Sequence, residues 1–269
     1  MAENSTDRML RLLWRHQLGE ESGARGPRKK WTLDEVVDTA IAEADGAGLD
    51  GLADLSGLSI RRLAEKLGTS AATLYTYIPG RDELLGLMVD QVMGRVDLPT
   101  FEDAADSVGD AETSDGWRDR LRTVSQVTWD EIHDHPWLIG AQSHRPMIGP
   151  NISARYEWQL TALEGCGLDD IAMDHTISLV TAHATASAQA DLDAERLAQT
   201  SGISDAQWWE VNGPVLAEVM PEGSYPISGR VGSAVGEKYQ AITDQKAVYA
   251  FGLATILDGV ERRRDSTPS

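Results

Sequence analysis

Residues 58–85, LSIRRLAEKLGTSAATLYTYIPGRDELL, decide the fold of this chain. The pattern predicts two short helices separated by Gly68 and a third helix that starts just after Pro79-Gly80. The first helix has an apolar side, whereas the second carries small and hydroxyl-bearing side chains and buries little beyond Leu74 and Ile78. That arrangement is typical of a helix-turn-helix, which offers its second helix to the major groove of DNA.

Local capping signals set the boundaries of these helices. Thr32 with Glu35 three residues later forms a capping box for a helix predicted over 31–44. Ser59 is expected to cap the next helix, and Gly68 supplies a left-handed turn. Either Thr69 or Ser70 then caps the second helix of the motif.

The rest of the chain also has helical patterning, and no strand alternation is evident, so the predicted fold class is all-α. It comprises an N-terminal three-helix helix-turn-helix DNA-binding domain and a C-terminal helical ligand-binding and dimerisation domain. Residues 5–18 are expected to be either a partly ordered tail or a small helix that packs on the domain or touches DNA. Residues 97–116 are expected to form a linker, and 222–236 a loop. Further helices are expected at 82–93, 117–134, 150 or 151 to 164, 169–200, 205–220 and 237–264.

Composition restricts the class of protein. The chain has 269 residues, 41% of them hydrophobic, which is enough for one large or two modest domains with real cores. No run approaches the roughly 18 apolar residues of a membrane span, and the N-terminus lacks the pattern of a signal peptide. A lone Cys166 cannot form an internal disulfide, which favours a cytoplasmic protein, and its surroundings favour a small helix-end residue over a reactive thiol.

Charge is distributed unevenly along the chain. The net charge of −19 argues against a general nucleic-acid binder. Residues 1–97 nevertheless hold 12 Lys and Arg against 16 Asp and Glu, a net of −4, while the remainder carries −15. A basic cluster near the expected DNA face comprises Arg25, Arg28, Lys29, Lys30, Arg61, Arg62 and Lys66. An acidic body with a locally basic end predicts specific DNA binding with weak non-specific binding.

The motif resembles the DNA-binding signature of the tetracycline repressor (TetR) family, above all in the run LYTYIPGR at 74–81. Trp117, HPWL at 135–138, GPN at 149–151 and Trp208-Trp209 are similar to the C-terminal domain of the branch that includes the tetracycline repressor. The resemblance implies nine or ten helices per chain, a homodimer, and a ligand that changes the separation of the two DNA-reading helices. We expect an N-terminal extension over 1–30, the DNA-binding domain over 31–95, and the C-terminal domain over 96–269.

DNA contacts are expected from the second helix of the motif and its flanks. Short hydroxyl groups can bond phosphates or base edges, and methyl groups can meet thymine. The resemblance assigns Arg61 to base readout, and Tyr75, Tyr77 and Arg81 to the sugar-phosphate backbone. Arg61 and Arg62 could instead be merely solvated, and Tyr75 could be partly a packing residue. The complete expected set is Arg28, Lys30, Ser59, Arg61, Ser70, Ala71, Ala72, Thr73, Tyr75, Thr76, Tyr77 and Arg81.

Histidine and tryptophan are concentrated in the C-terminal part and suggest an aromatic pocket with polar tips. The expected ligand-binding set is Trp129, His133, Gln142, His144, Trp158, His175, Leu179 and His183. The alternative is that these tryptophans are ordinary core residues. No histidine pair stands with a carboxylate in an obvious metal-binding set, so neither a metal site nor a cofactor is expected. Ala141 or Gln142 stands near the place where the tetracycline repressor has a metal-binding histidine, which argues for an effector other than tetracycline.

The expected function is therefore a DNA-binding transcriptional regulator, most simply a repressor released from its operator by an aromatic or moderately apolar organic ligand. A small-residue run in the helix over 169–200 and the final helix are expected to form a four-helix dimer bundle. The alternative is that these residues serve ordinary core packing within the chain. The alternatives are a ligand-insensitive regulator or activator, or an enzyme that uses the C-terminal pocket. No catalytic residue is assigned, because the sequence has no nucleophile elbow, phosphate-binding glycine loop or metal signature.

Overall fold

The computed structural model describes residues 5–19, 30–48, 59–101, 116–141, 147–221 and 223–266. Across these residues the chain forms twelve α-helices and no strand, so the all-α prediction is confirmed. The N-terminal part contains α1 (Ser5–Leu13), α2 (Arg15–Leu18), α3 (Leu33–Gly46), α4 (Ile60–Lys66), α5 (Ala71–Leu74) and α6 (Arg81–Met93). The C-terminal part contains α7 (Gly116–Asp134), a 3₁₀ turn (Pro136–Leu138), α8 (Pro150–Thr161), α9 (Asp170–Ser201), α10 (Asp205–Val219), α11 (Pro226–Tyr239) and α12 (Gln245–Ser266).

The capping predictions for the helix-turn-helix are confirmed. Thr32 and Glu35 form the complete capping box of α3, and the Ser59 hydroxyl accepts a hydrogen bond from the Arg62 amide. Ser70, rather than Thr69, caps α5. Gly68 has φ +61°, a left-handed conformation that glycine adopts without steric cost.

Residues 5–18 form helices that pack on the domain, which decides between the two alternatives for this segment. Leu13 is buried in the same apolar cluster as α3 to α6, and Met9 lies against Gly86 of α6. The Trp14 indole N–H donates to the Ile148 carbonyl at 2.9 Å, and Arg15 pairs with Asp34. The N-terminal helices thus touch both parts of the chain.

The cores of the two parts are continuous across the expected boundary at residue 96. The cluster that includes Leu63 and Leu74 of the DNA-binding motif also includes Trp137 and Leu192. Asp45 of α3 accepts a hydrogen bond from the Trp137 indole N–H at 2.7 Å, and its Oδ1 lies 2.7 Å from His135 Nδ1. A second cluster lies around Trp117 and Leu257, where α7, α9 and α12 meet. Of the expected linker, 102–115 lies outside the described residues.

Two secondary-structure predictions were wrong. The expected loop over 222–236 instead contains most of α11, and the expected single helix over 237–264 is divided between α11 and α12. Gly229, Gly232 and Gly236 disfavour a helix, but Pro226 occupies the first turn of α11, where proline is well tolerated. Gln240 ends α11 with φ +53°, and the Asp244 carboxylate accepts from the Ala247 amide at the start of α12.

The last part of the fold leaves much apolar surface uncovered. None of the described residues of α11 is buried. Val211 on α10, Ile227 on α11 and Phe251 on α12 are all exposed, Phe251 to 76%. No helix within the described residues is long and apolar enough to cross a membrane.

Candidate nucleic-acid interface and ligand cavity

The exposed side of α5 and its flanks forms the candidate nucleic-acid interface. Ala72, Thr73, Tyr75 and Thr76 are exposed, while Leu74 is fully buried and anchors the short helix to the core. The helix itself ends at Leu74, and Tyr75–Tyr77 continue as a turn in which the Thr76 hydroxyl donates to the Thr73 carbonyl at 2.7 Å.

Three basic side chains surround this surface. Arg61, Arg62 and Arg81 are exposed, and none of them forms an ion pair with another of the described residues. Each is therefore available to phosphate or base edges. Lys66, which was also expected in the basic cluster, forms an ion pair with Glu43 instead. Lys30 is exposed, with its ammonium 5.1 Å from the centre of the Trp31 ring. Arg25, Arg28 and Lys29 lie outside the described residues.

Three of the expected contact residues already have structural partners. Tyr77 was expected on or beside the exposed face, but only 7% of it is accessible, and its hydroxyl accepts a hydrogen bond from the Trp31 amide at 3.2 Å. The expectation that Tyr77 lies on or beside the exposed face was wrong, because its ring is buried in the domain core. The hydroxyls of Ser59 and Ser70 serve as helix caps. Of the expected set, Ala71 is half-buried.

The expected ligand-binding residues are not gathered in one cavity. Trp129 stacks on His133 with ring centres 4.7 Å apart and packs at a tilt against Tyr249 with ring centres 4.5 Å apart. His133 Nε2 lies 3.2 Å from Asp191 Oδ2. His183 stacks on the same Tyr249 ring and bonds to its carbonyl oxygen at 3.0 Å. These three side chains therefore belong to the packing between α7, α9 and α12.

The other members of that set lie elsewhere. Trp158 stacks on Phe101, and its indole N–H donates to the Pro99 carbonyl at 2.8 Å. His175 and Leu179 are exposed on α9 beside α12. Gln142 and His144 lie outside the described residues. The described members therefore do not meet around one shared cavity, because their polar atoms and rings are used in contacts within the chain or face outward. A ligand-binding role for each of them stays a prediction.

A different cavity, of about 860 Å³, lies between α6, α7, α8 and α9. The exposed surface of its described walls is mainly apolar, although ten of the eighteen described lining residues have polar side chains. The apolar residues are Val89, Met93, Ile132, Leu138, Ala141, Met147, Ile148 and Ile152. The polar residues are Thr128, Glu131, Ser153, Arg155, Tyr156, Glu157, Gln159, Asp174, Thr181 and Thr185. A cavity of this size with mainly apolar surface and polar groups among its walls suits an organic molecule that carries some polar atoms.

A buried ion pair lies in one wall of this cavity. Arg155 Nη2 donates to Glu131 Oε1 at 2.8 Å, and the two residues are 5% and 6% exposed. Burial raises the pKa of Glu131 and lowers the pKa of Arg155, and in both cases the attraction of the partner opposes the shift. The Tyr156 hydroxyl donates to Asp174 at 2.7 Å nearer the exposed rim, and this bond raises the pKa of Tyr156.

Asp90 links α6, which lines the cavity, to α8 on another wall. Asp90 Oδ1 accepts from the backbone amides of Asn151 and Ile152 at 3.1 and 3.0 Å, and Oδ2 accepts from the Asn151 side chain at 3.1 Å. Because the N-cap of α8 is Gly149, Asp90 performs the capping that a side chain at that position would normally supply. Burial raises the pKa of Asp90, against the lowering effect of these hydrogen bonds.

Similarity to known proteins agrees with this architecture. Residues 109–264 match the family model of the tetracyclin repressor-like C-terminal domain. The chain is 35% identical over 266 residues to the HTH-type transcriptional repressor DrrR1 of Streptomyces coeruleorubidus, covering 97% of this chain and 89% of that protein. It is 32% identical over 136 residues to an HTH-type transcriptional regulator of Saccharopolyspora erythraea, covering 51% of this chain and 50% of that one.

Solved structures show the same fold. The crystal structure of the Streptomyces coelicolor TetR family protein ActR in complex with actinorhodin aligns with a TM-score of 0.65 and 24% identity, over 86% of this chain and 95% of that one. ActR in complex with (S)-DNPA aligns with a TM-score of 0.62 and 23% identity, over 87% and 98% of the two chains. Together with the family model and the extended similarity to DrrR1, the helix-turn-helix identifies the chain as a member of the TetR family of DNA-binding transcriptional regulators.

Proposed function

We propose that this protein is a homodimeric repressor that leaves its operator when a small, largely apolar organic molecule enters the cavity between α6 and α9. The observation that carries the proposal is that Val89 and Met93 of α6 line the cavity, while Arg81 at the start of the same helix lies beside the DNA-reading element. A ligand in the cavity therefore contacts the helix that positions the DNA interface.

A ligand can release the protein from its operator only if it binds the DNA-competent and the released arrangements with different affinity. The cavity supports this because its walls come from both sides of a hydrogen-bonded junction, with Asp90 on α6 and the first turn of α8. A ligand that shifts α8 relative to α6 must also shift or break the Asp90 bonds. The names of the relatives agree with this role, since DrrR1 is a repressor and ActR has been crystallised with actinorhodin.

The expected DNA interface extends from the exposed face of α5 to Arg61, Arg62 and Arg81. The expected base reader is Arg61, with Thr73 also facing outward, and Tyr75 and Arg81 are expected to contact the backbone. Tyr77 supports the interface from below through its hydrogen bond to the start of α3.

Dimerisation is expected through the outer faces of α9 and α12. Ile171, His175 and Leu179 recur every four residues on exposed positions of α9, beside a groove shared with α12. Ile256 of α12 lines the same groove as Ile171 and Leu179, and Phe251 on α12 is also largely uncovered. Contiguous apolar surface of this kind favours a protein partner. We expect Phe251→Glu to give monomers by sedimentation at micromolar concentration. Leu18→Glu, on exposed α2, should leave the dimer intact, and a dimeric Phe251→Glu variant would contradict this interface.

The direct test of function is an electrophoretic mobility shift with the DNA upstream of the protein's own gene, with and without 9-fluorenone, a neutral aromatic ketone, as the first probe. We expect a sequence-specific shift that a cavity-binding compound relieves. Thr185→Trp fills the cavity and should retain the shift but lose the response, whereas Thr200→Trp, on the exposed last turn of α9, should retain both. Relief that is unchanged in Thr185→Trp would contradict the cavity as the effector site.

Two alternative outcomes are separable in the same assay. A shift that no cavity-binding compound relieves would favour a ligand-insensitive regulator. A shift that is accompanied by increased transcription in a reporter strain would favour an activator.

A further inference from the structure

The ion pair in the cavity wall is incompletely satisfied. A guanidinium carries five N–H groups, and Arg155 donates through Nη2 to Glu131. Its Nε atom is buried and, within the described residues, has no hydrogen-bond partner. A buried donor without an acceptor is costly and rare in native proteins. Arg155 also lines the cavity, so its guanidinium has N–H groups beyond the Glu131 bond to offer to a molecule bound there.

The surroundings of Arg155 indicate what kind of molecule could bring an acceptor to its guanidinium. The guanidinium lies 5.7 Å from the centre of the Trp158 ring, which flanks it with an aromatic group. Arg155 lines the cavity together with apolar residues such as Ile132 and Ile152. An acceptor in the cavity would therefore have to be carried by a molecule whose remaining surface is mainly apolar.

Charge decides which kind of acceptor fits. The described lining contains the acidic residues Glu131, Glu157 and Asp174 against the single basic residue Arg155. The charge of Glu131 already neutralises that of Arg155, so the other acidic residues give the cavity lining an excess of negative charge. A carboxylate ligand would be repelled by that charge and would also lose hydration on entering the cavity. A neutral carbonyl oxygen accepts the same hydrogen bond without that repulsion.

We infer that the effector is a neutral, largely apolar organic molecule whose carbonyl oxygen accepts a hydrogen bond from the Arg155 guanidinium beside Glu131. The inference rests on the proposed function, because it assigns the ligand class of the same cavity. Arg155 is then the residue that makes the cavity prefer ligands with a carbonyl oxygen over hydrocarbons of the same shape. Glu131 holds the guanidinium in place and excludes anionic ligands.

Three matched probes test this assignment on the full-length protein. 9-Fluorenone carries the carbonyl, fluorene has the same ring skeleton without it, and fluorene-9-carboxylate is anionic. Binding is measured for each probe by equilibrium dialysis. A charge-assisted hydrogen bond is expected to make fluorenone bind about tenfold more tightly than fluorene, with the carboxylate weakest.

Two variants separate the hydrogen bond from the ion pair. Arg155→Lys keeps the positive charge but replaces the planar guanidinium and its fixed donor geometry with a compact ammonium. The double variant Glu131→Gln with Arg155→Met removes both charges together, which avoids leaving one buried and unpaired. In both, the preference for fluorenone should fall to about twofold or less, while fluorene binding stays within about twofold of the original. Thermal unfolding of each variant confirms that it is folded.

The possible results have distinct meanings. Fluorene binding without any preference for fluorenone would overturn the inference and leave the cavity as a ligand site. A preference that survives in both variants would overturn the role of Arg155, and tightest binding of the carboxylate would overturn the neutral class. Failure of all three probes to bind would contradict both the inference and the proposed cavity function.

Discussion

Gly149→Ala is the sharpest probe of the junction between α6 and α8. Gly149 has φ −90° and ψ 172°, which alanine adopts without strain, so the effect of the change is purely steric. A Cβ at this position would overlap Oδ1 and Cγ of Asp90 and would lie 3.0 Å from Oδ2. The carboxylate must therefore move away from the α8 amides that it caps.

The expected cost follows from the bonds that are lost. Asp90 accepts two backbone amide bonds and one side-chain bond. Hydrogen bonds to a charged group contribute about 1.5–3 kcal/mol each, and partial rehydration of the amides recovers some of that. We expect the free energy of unfolding to fall by about 2–4 kcal/mol. For chains of this size that corresponds to a decrease in Tm of about 5–15 °C.

Differential scanning calorimetry at one fixed protein concentration measures the effect, since dimerisation makes Tm depend on concentration. Gly46→Ala is the matched control because a Cβ there meets nothing within 4 Å, and it should be neutral or stabilising by up to about 1 kcal/mol. In an Asp90→Ala background the clash is gone, so Gly149→Ala should add little further loss. Equal losses in both backgrounds, or no loss in the original chain, would refute the reasoning.

Three further predictions concern the DNA interface and the buried acid. Arg61→Ala should weaken operator binding by about 1–3 kcal/mol in a fluorescence anisotropy titration and relax one base position, and an equal loss on random DNA would rule out base readout. Tyr77→Phe should lower the free energy of unfolding by about 1 kcal/mol because the acceptor of the Trp31 amide is lost, whereas Tyr75→Phe should weaken operator binding at unchanged stability. Because the pKa of Glu131 is raised above its ordinary value of 4.5 in the folded protein, protonation of this carboxyl favours folding. This stabilisation is complete at a pH below 4.5 and is lost as the pH rises through the raised pKa. The Tm of Glu131→Gln minus the Tm of the unaltered protein should therefore be more positive at pH 7 than at pH 5. The same difference at both pH values would contradict the raised pKa of Glu131.

The DNA-binding half was accessible from the sequence because its signals are local. Thr32 and Glu35, Ser59 and Ser70 act on amides three residues away, and Gly68 requires only its own backbone conformation. These short-range effects determine where helices begin and end in almost any tertiary context. The family resemblance then identified the motif, although the burial of Tyr77 depended on contact with Trp31, 46 residues earlier.

The ligand half was decided by the tertiary structure. Histidine and tryptophan content suggested a pocket, but packing joined Trp129 and His183 to Tyr249, far away in sequence, and placed His133 against Trp129. The pairing of Glu131 with Arg155 joins two helices, and neither residue stands out in the sequence, since isolated charged residues are usually solvated.

The sequence by itself thus determined the helical class, the helix boundaries of the DNA-reading motif and the family, because these depend on interactions within a few residues. Only the tertiary structure decided which side chains line the cavity and how α6 and α8 are joined. The physical reason is that burial and pairing depend on which helix faces meet. Asp90 became the cap of α8 because packing placed it beside amides some 60 residues away.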